Sequence, residues 1–580
     1  MRDNARLFID KETGTPADTL LAFGVADFLD RLIPEEVADV GLRLEDLGDC
    51  YCVSLNRPIQ PEWVTQASFF SIIPGLNTKT KETAVPHTID YLAHQQRNNV
   101  YFEARKDESD NEQLALQGIH PPHPDWPAWA VINQMSATPS YNKLVELWHQ
   151  HESCFPQLTA IILQMYSHRP NQVEQGSADW AKLANQQNLK EAANIAQLQV
   201  VNPGMGKGGN RSKATGLGIG GLNAFWLPEY LKFAGLYQAA IPRVVRGEKD
   251  RKTYVLRPNK LNWSTHKKVF SEFQKVMYAQ TAVKMDILTS LTYCQTYLTE
   301  WTNVQAGKIG RSRGNPHNHV AAIETVYYKH LGSAHATLNL SSLNLPEWIG
   351  ADIITREQAQ EFLDLLSEHN FVIFRLDEKK GNEYNLLLAY RHFLSGRDLS
   401  MFFQFMGGYS AHLMSEMAKG NNPPLFSVTN LEVLIMAHDE EDKLAEIIQN
   451  EGFRNIAEAI RRSTIIPQGQ KARGRDSLYD IRYGLGSKLL RHAQYNEAFI
   501  QELGRFMHDY NHETVRKHET RKQIFRSYIT IDDIEEIVRL IDKYNAPTIA
   551  YLLVAFGYAR DPKLGQKAED EVEEPVSQIS

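Results

Sequence analysis

The chain has 580 residues, 42% of them apolar and 23% charged, with a formal net charge of −8. That length exceeds one ordinary core, and the composition is that of a soluble globular protein rather than a collagen-like, low-complexity or membrane-spanning chain. Four cysteines (Cys50, Cys52, Cys154 and Cys294) are too few for a disulfide framework. Cys50 and Cys52 form CxC with no second pair, so the expectation is reduced thiols in a cytoplasmic protein without a zinc site.

The N-terminus, MRDNARLFID, has no apolar h-region, and no secretion signal is expected. Residues 1–50 are acidic, with 12 acids against 5 bases. Asp18 to Leu32 has helical apolar spacing, whereas Cys50 to Asn56 and Asn98 to Ala104 read as strands. Pro122 to Trp129 reads as a proline-broken connection with aromatic anchors.

Asn202 to Asn223, NPGMGKGGNRSKATGLGIGGLN, stands apart: eight of its 22 residues are glycine, three are basic and none is acidic. It contains two formal GxGxxG matches, at Gly204 and at Gly216. A dinucleotide fold needs a strand before such a match and a helix directly after it, and neither match has both. A Walker loop fails because Asn210-Arg211 stand where Lys-Ser/Thr is required. The same residues suit a clamp on a polyanion. Glycine lets backbone amides approach phosphates, while Lys207, Arg211 and Lys213 add uncancelled charge and Asn210 and Asn223 can probe a groove. The competing reading is a loose surface insertion.

The basic character continues downstream. Residues 201–275 hold 14 bases and 4 acids, among them Lys232, Arg243, Arg246, Arg251 and Lys252, interleaved with Phe225, Trp226, Tyr230, Tyr254 and Trp263. Cations alternating with aromatics suit a polynucleotide, where each neutralised phosphate releases counterions and each ring offers a base a stacking face. Solvated faces of unrelated helices are the alternative.

All nine tryptophans lie between Trp63 and Trp348. With the linker-like KGNNPPLFSVTN, Lys419 to Asn430, this places an expected boundary near residue 425. Residues 1–425 read as a mixed α/β domain and 426–565 as a helical bundle, while the acidic tail 566–580 is expected to be disordered. In the bundle, Phe499, Ile500, Leu503, Phe506, Met507 and Tyr510 form one stripe, and Thr530 to Asp533 reads as a capping box. Ile465 to Ala493 reads as a second basic loop, with Lys471, Arg473, Arg475, Arg482, Lys488 and Arg491. The fold class is therefore α+β.

Histidines raise the question of a metal enzyme. His508 and His512 have i, i+4 spacing, His438-Asp439 and His508-Asp509 form HD pairs, and His317 and His319 form HxH. HETVRKH has Arg516 where a zincin needs histidine, so surface histidines are the expectation.

Four stretches together resemble the large subunit of type I CRISPR surveillance complexes (Cascade), type I-B in particular. They are His123 to Trp148, the glycine stretch running into GGLNAFWLPEYLKFAGLY, Tyr384 to Met414, and Arg473 to Phe506. Some relatives carry paired CxxC zinc motifs, which this chain lacks. The resemblance implies a subunit with no active site and no cofactor. It would read the protospacer-adjacent motif (PAM) on duplex DNA through 202–223, help open the duplex, and hold the displaced strand of the R-loop through Lys471 to Arg491. Its partners would be the guide CRISPR RNA, target double-stranded DNA, the backbone and 5′-handle-binding subunits, and a recruited helicase-nuclease or transposition machinery. Some type I-B genes also yield a separate small subunit from an internal start, and Met414, Met417 and Met436 lie about where such a start would fall. Two other readings remain: a nucleotide- or metal-dependent enzyme, and a scaffold that binds only protein.

Overall fold

The computed structural model describes residues 5–561 apart from 38–39, 80–84, 86, 108–110, 190–191, 206–222, 306–313, 333, 350–352, 395, 397, 439–442, 476 and 522–525. The fold is α+β, with strands in the N-terminal part and helices dominating the C-terminal part. Two compact units divide the chain, one formed by residues 1–282 with 316–345 and the other by 283–315 with 346–580.

The first unit is built around two helices, Pro16–Leu32 and Trp226–Ala239, both buried along most of their length. The apolar spacing from Asp18 onward predicts the first, and Thr15 starts it by accepting the Ala17 N–H on its hydroxyl. The two pack backbone to backbone. A Cβ added to Gly24 would overlap the Leu231 carbonyl, and one added to Gly235 would overlap the Leu20 carbonyl. Around this pair lie two antiparallel four-stranded sheets. One runs Arg6–Asp10, Cys50–Ser54, Arg43–Asp46, Lys260–Asn262, with Phe8 opposite Cys52. The other runs His335–Leu343, Val320–His330, Arg251–Pro258, Ala240–Val244, with Thr325 opposite Tyr254.

Asn98 to Ala104 is not a strand but the end of a helix, Tyr91–Ala104, which Asp90 caps by accepting the Ala93 N–H at 3.0 Å. Its buried residues, Tyr91, Asn98 and Tyr101, are spaced seven and three apart, which is helical periodicity. Asn and Glu in the run outvote the β propensity of Val100, Tyr101 and Phe102 once Asp90 has capped the first turn. The expected connection at Pro122 to Trp129 ends in a helix, Trp126–Gln134, with Pro127 in its first turn, where no amide donor is needed. Trp126 stacks on Tyr91 with centroids 4.9 Å apart.

In the second unit the Leu399–Ala418 helix packs against Gly381–Leu394, Ile465–Ala472, Leu485–His492 and the terminal Ala546–Gly557 helix. The stretch that reads as a linker is tightly held. Pro424 O accepts the Tyr409 hydroxyl at 2.6 Å, Phe426 is buried against Phe402 and His369, and Phe426 O accepts the Arg560 N–H at 2.8 Å. The capping box at Thr530 is present, with Thr530 and Asp533 each satisfying the other's backbone N–H. Phe499, Leu503, Phe506, Met507 and Tyr510 are buried as one stripe, with Ile500 at its margin. Ile549 to Phe556 is core of the terminal helix, and no helix among the described residues is long and apolar enough to cross a membrane.

Candidate nucleic-acid interface

The glycine stretch enters and leaves through fixed points of the first unit. At its start, Asn202 is buried, its carbonyl accepting the Lys232 ammonium at 2.7 Å and its amide donating to Glu229 at 2.6 Å. Lys232 and Glu229 close the triangle at 2.6 Å, one turn apart on the Trp226–Ala239 helix. Pro203 O accepts the Thr337 hydroxyl at 2.6 Å. At its end, Asn223–Phe225 pairs antiparallel with Asn194–Ala196, and the Trp226 N–H reaches Ala193 O at 3.1 Å. Asn223 is exposed. Lys207, Asn210, Arg211 and Lys213 lie outside the described residues.

Burial sorts the other cations of this unit. Lys232 is committed to Glu229 and Asn202. Arg243 spends its guanidinium on three backbone carbonyls, those of Met277, Gln274 and Pro242, and burial pulls its pKa down to about 10. Arg251 is buried and donates to the Gln134 side-chain Oε1, with burial lowering its pKa. Lys252 is buried, donates to Ala282 O at 3.0 Å and stands over the Tyr327 ring. Arg246 alone of these five is exposed, at a hairpin tip where Gly247 takes φ +86. Phe225, Trp226, Tyr230, Tyr254 and Trp263, interleaved with the cations in sequence, are all core residues. Trp226 and Tyr230 face inward on one helix, and Trp148 stacks on Tyr230 at 4.3 Å, so these rings offer no face to a nucleobase.

In the second unit the expected basic loop is a helix–loop–helix. Pro467 sits in the first turn of Ile465–Ala472, a position that tolerates proline, and Leu485–His492 buries only Leu485, Gly486 and Leu489. The connecting residues are clamped from inside by Arg526, a residue the sequence does not single out. Its guanidinium lies between the Tyr479 and Tyr510 rings, 3.8 Å from each centroid. It donates to Thr514 Oγ1 at 2.7 Å, Tyr510 O at 2.9 Å and Glu513 Oε2 at 3.0 Å. Glu513 also accepts the Asp480 N–H at 2.6 Å and the Arg482 guanidinium at 3.1 Å. Burial works to raise the Glu513 pKa, but these donors outweigh it and hold the carboxyl below its ordinary value.

Arg482 therefore faces inward, while Lys471, Arg473, Arg475, Lys488 and Arg491 are exposed. None of the five is in an ion pair among the described residues; Lys471 reaches only the Tyr483 hydroxyl, at 3.5 Å. Lys488 and Arg491 are one turn apart on the outer face of their helix. Such a surface can neutralise phosphates without first breaking internal ion pairs.

The histidines divide. His508 and His512 are exposed and stacked, as expected. His319 is not a surface residue: it stacks on buried His266, and burial holds their pKa values down to about 3 and about 4, keeping both neutral. The cause is the sheet start at Val320, which carries His319 into the core beside the Trp263–Val276 helix. Among the described residues no group of three or more His, Cys, Asp or Glu could hold a metal ion. No protein-family model matches the chain, and no curated protein matches it.

Proposed function

We propose that the chain is the non-catalytic large subunit of an RNA-guided CRISPR Cascade complex. In this role it recognises the PAM on double-stranded DNA, helps open the duplex and stabilises the R-loop for a recruited helicase-nuclease or transposition machinery. The observation that carries the reading is the clamped helix–loop–helix, which holds five exposed cations without ion pairs among the described residues. Proteins normally pair their surface charge, and exposed cations left without such partners suit a polyanion. The anchored ends of 202–223 support the second element, since a reading loop needs a fixed base. The resemblance of the four sequence stretches supplies the specific assignment.

Purification of a tagged chain from its native host tests this, with sequencing of bound RNA and identification of bound proteins. Short RNAs of one repeat–spacer design, accompanied by backbone subunits, are expected. A chain that purifies alone and RNA-free overturns the proposal.

A further inference from the structure

The turn joining Leu485–His492 to the Asn496–Arg521 helix carries Tyr495, which at 73% exposure is the most exposed aromatic side chain among the described residues. No ring or cation contact to it occurs among the described residues, so the fold gains little from an aromatic there. Tyr495 borders an open cavity of about 600 Å³, whose other walls include Gln494, Asn496, Glu497 and Gln501. The Asn496 side-chain Oδ1 already accepts the Ala546 N–H at 3.0 Å, which fixes that wall. One and two turns back along the chain stand Arg491 and Lys488, both exposed.

We propose that this corner is a nucleobase site for single-stranded nucleic acid, a proposal that rests on the polyanion-binding reading of the same helix–loop–helix. An unstacked base lies on the Tyr495 ring, and its hydrogen-bonding edge meets the Gln494 and Gln501 amides and the Glu497 carboxylate. The flanking phosphates fall to Arg491 and Lys488. An aromatic stack contributes affinity for any base because every base has a π face, whereas cations alone grip only the backbone. Glu497 adds a preference. It accepts from the exocyclic amine of cytosine or adenine, and thymine has no such donor.

The test is fluorescence anisotropy of the full chain with short labelled single strands of oligo-dC, oligo-dT and an abasic backbone. Tyr495→Ala is expected to weaken oligo-dC binding about 5- to 150-fold, the loss of one base–aromatic stack, with an unchanged salt slope. Tyr495→Phe should bind as the parent does, the abasic strand should not distinguish Tyr495→Ala from the parent, and Glu497→Ala, which removes the acceptor, should erase the oligo-dC preference over oligo-dT. Arg491→Ala should instead flatten the salt slope. If Tyr495→Ala binds like the parent while Arg491→Ala still flattens the slope, the base site is wrong and the polyanion reading stands. If the parent chain binds no strand at all, the polyanion reading falls and the base site with it.

Discussion

Asp27 illustrates what a single buried group costs. It sits inside the Pro16–Leu32 helix, and burial raises its pKa from 3.8 to about 6 although Arg31 donates to it at 3.0 Å. The native state thus holds a proton that the unfolded chain gives up between about 4 and 6. The stabilising contribution is full below that window and is lost as pH rises through about 6. Asp27→Asn keeps the shape without the charge, so it should raise stability at pH 8 by about 1–3 kcal/mol and leave it nearly unchanged at pH 4. Thermal melts at the two pH values measure this. The Lys232 triangle runs the other way. Lys232→Met strands Glu229 in the core and should destabilise the first unit by about 3–5 kcal/mol, as read by urea denaturation. The charges at these positions were legible in the sequence, but their direction was not. Lys232 and Arg473 look alike in a string, and only the packing of the surrounding helix turns one inward.

At the scale of elements, apolar periodicity located the Pro16–Leu32 helix and the Phe499 to Tyr510 stripe, and the capping chemistry located Thr530. It failed at Asn98 to Ala104, where propensity and spacing disagree over a short run, and at Ile465 to Ala493, where glycine and proline at tolerated positions conceal two short helices. The Gly24–Gly235 crossing was also beyond reach, because which glycine meets which backbone depends on two helices about 200 residues apart in sequence. Gly235→Ala must push the Leu20 carbonyl aside, and an expected loss of about 3 kcal/mol or more exceeds the ordinary cost of overpacking. Gly469→Ala, with nothing near its Cβ position, should be neutral or slightly stabilising in the same melts. For the helix–loop–helix, changing Lys471, Arg473 and Arg475 together to Ala should lower the salt slope of single-strand binding by about 2, at about 0.7 for each phosphate left unneutralised.

For the molecule as a whole, each unit is assembled from two separate stretches of chain, which no composition shift announces. The tryptophan gradient points near residue 425, yet Phe426 packs among rings from residues 369 to 409 and the Leu399–Ala418 helix lies against the terminal helix. A fragment beginning at Met436 would lack that helix and leave Ala546–Gly557 without a principal neighbour. Expressed alone, it is expected to show a broad, non-cooperative urea transition by circular dichroism, whereas the full chain unfolds steeply. The basic segments were visible as charge, and the surface that carries them was not, because Arg526 belongs to the last third of the chain and reaches the loop through Tyr479 and Glu513.

That clamp has a further consequence, for proteolysis. Trypsin cuts only where a basic side chain and its flanking backbone can leave the fold and enter a cleft. Lys471, Arg473 and Arg475 present that opportunity, whereas Arg482 and Arg526 are held by the same carboxylate and closed to it. A brief digest of the native chain should therefore nick between 471 and 476 and spare 482, and the appearance of the 482 cut would serve as a clock for the clamp letting go.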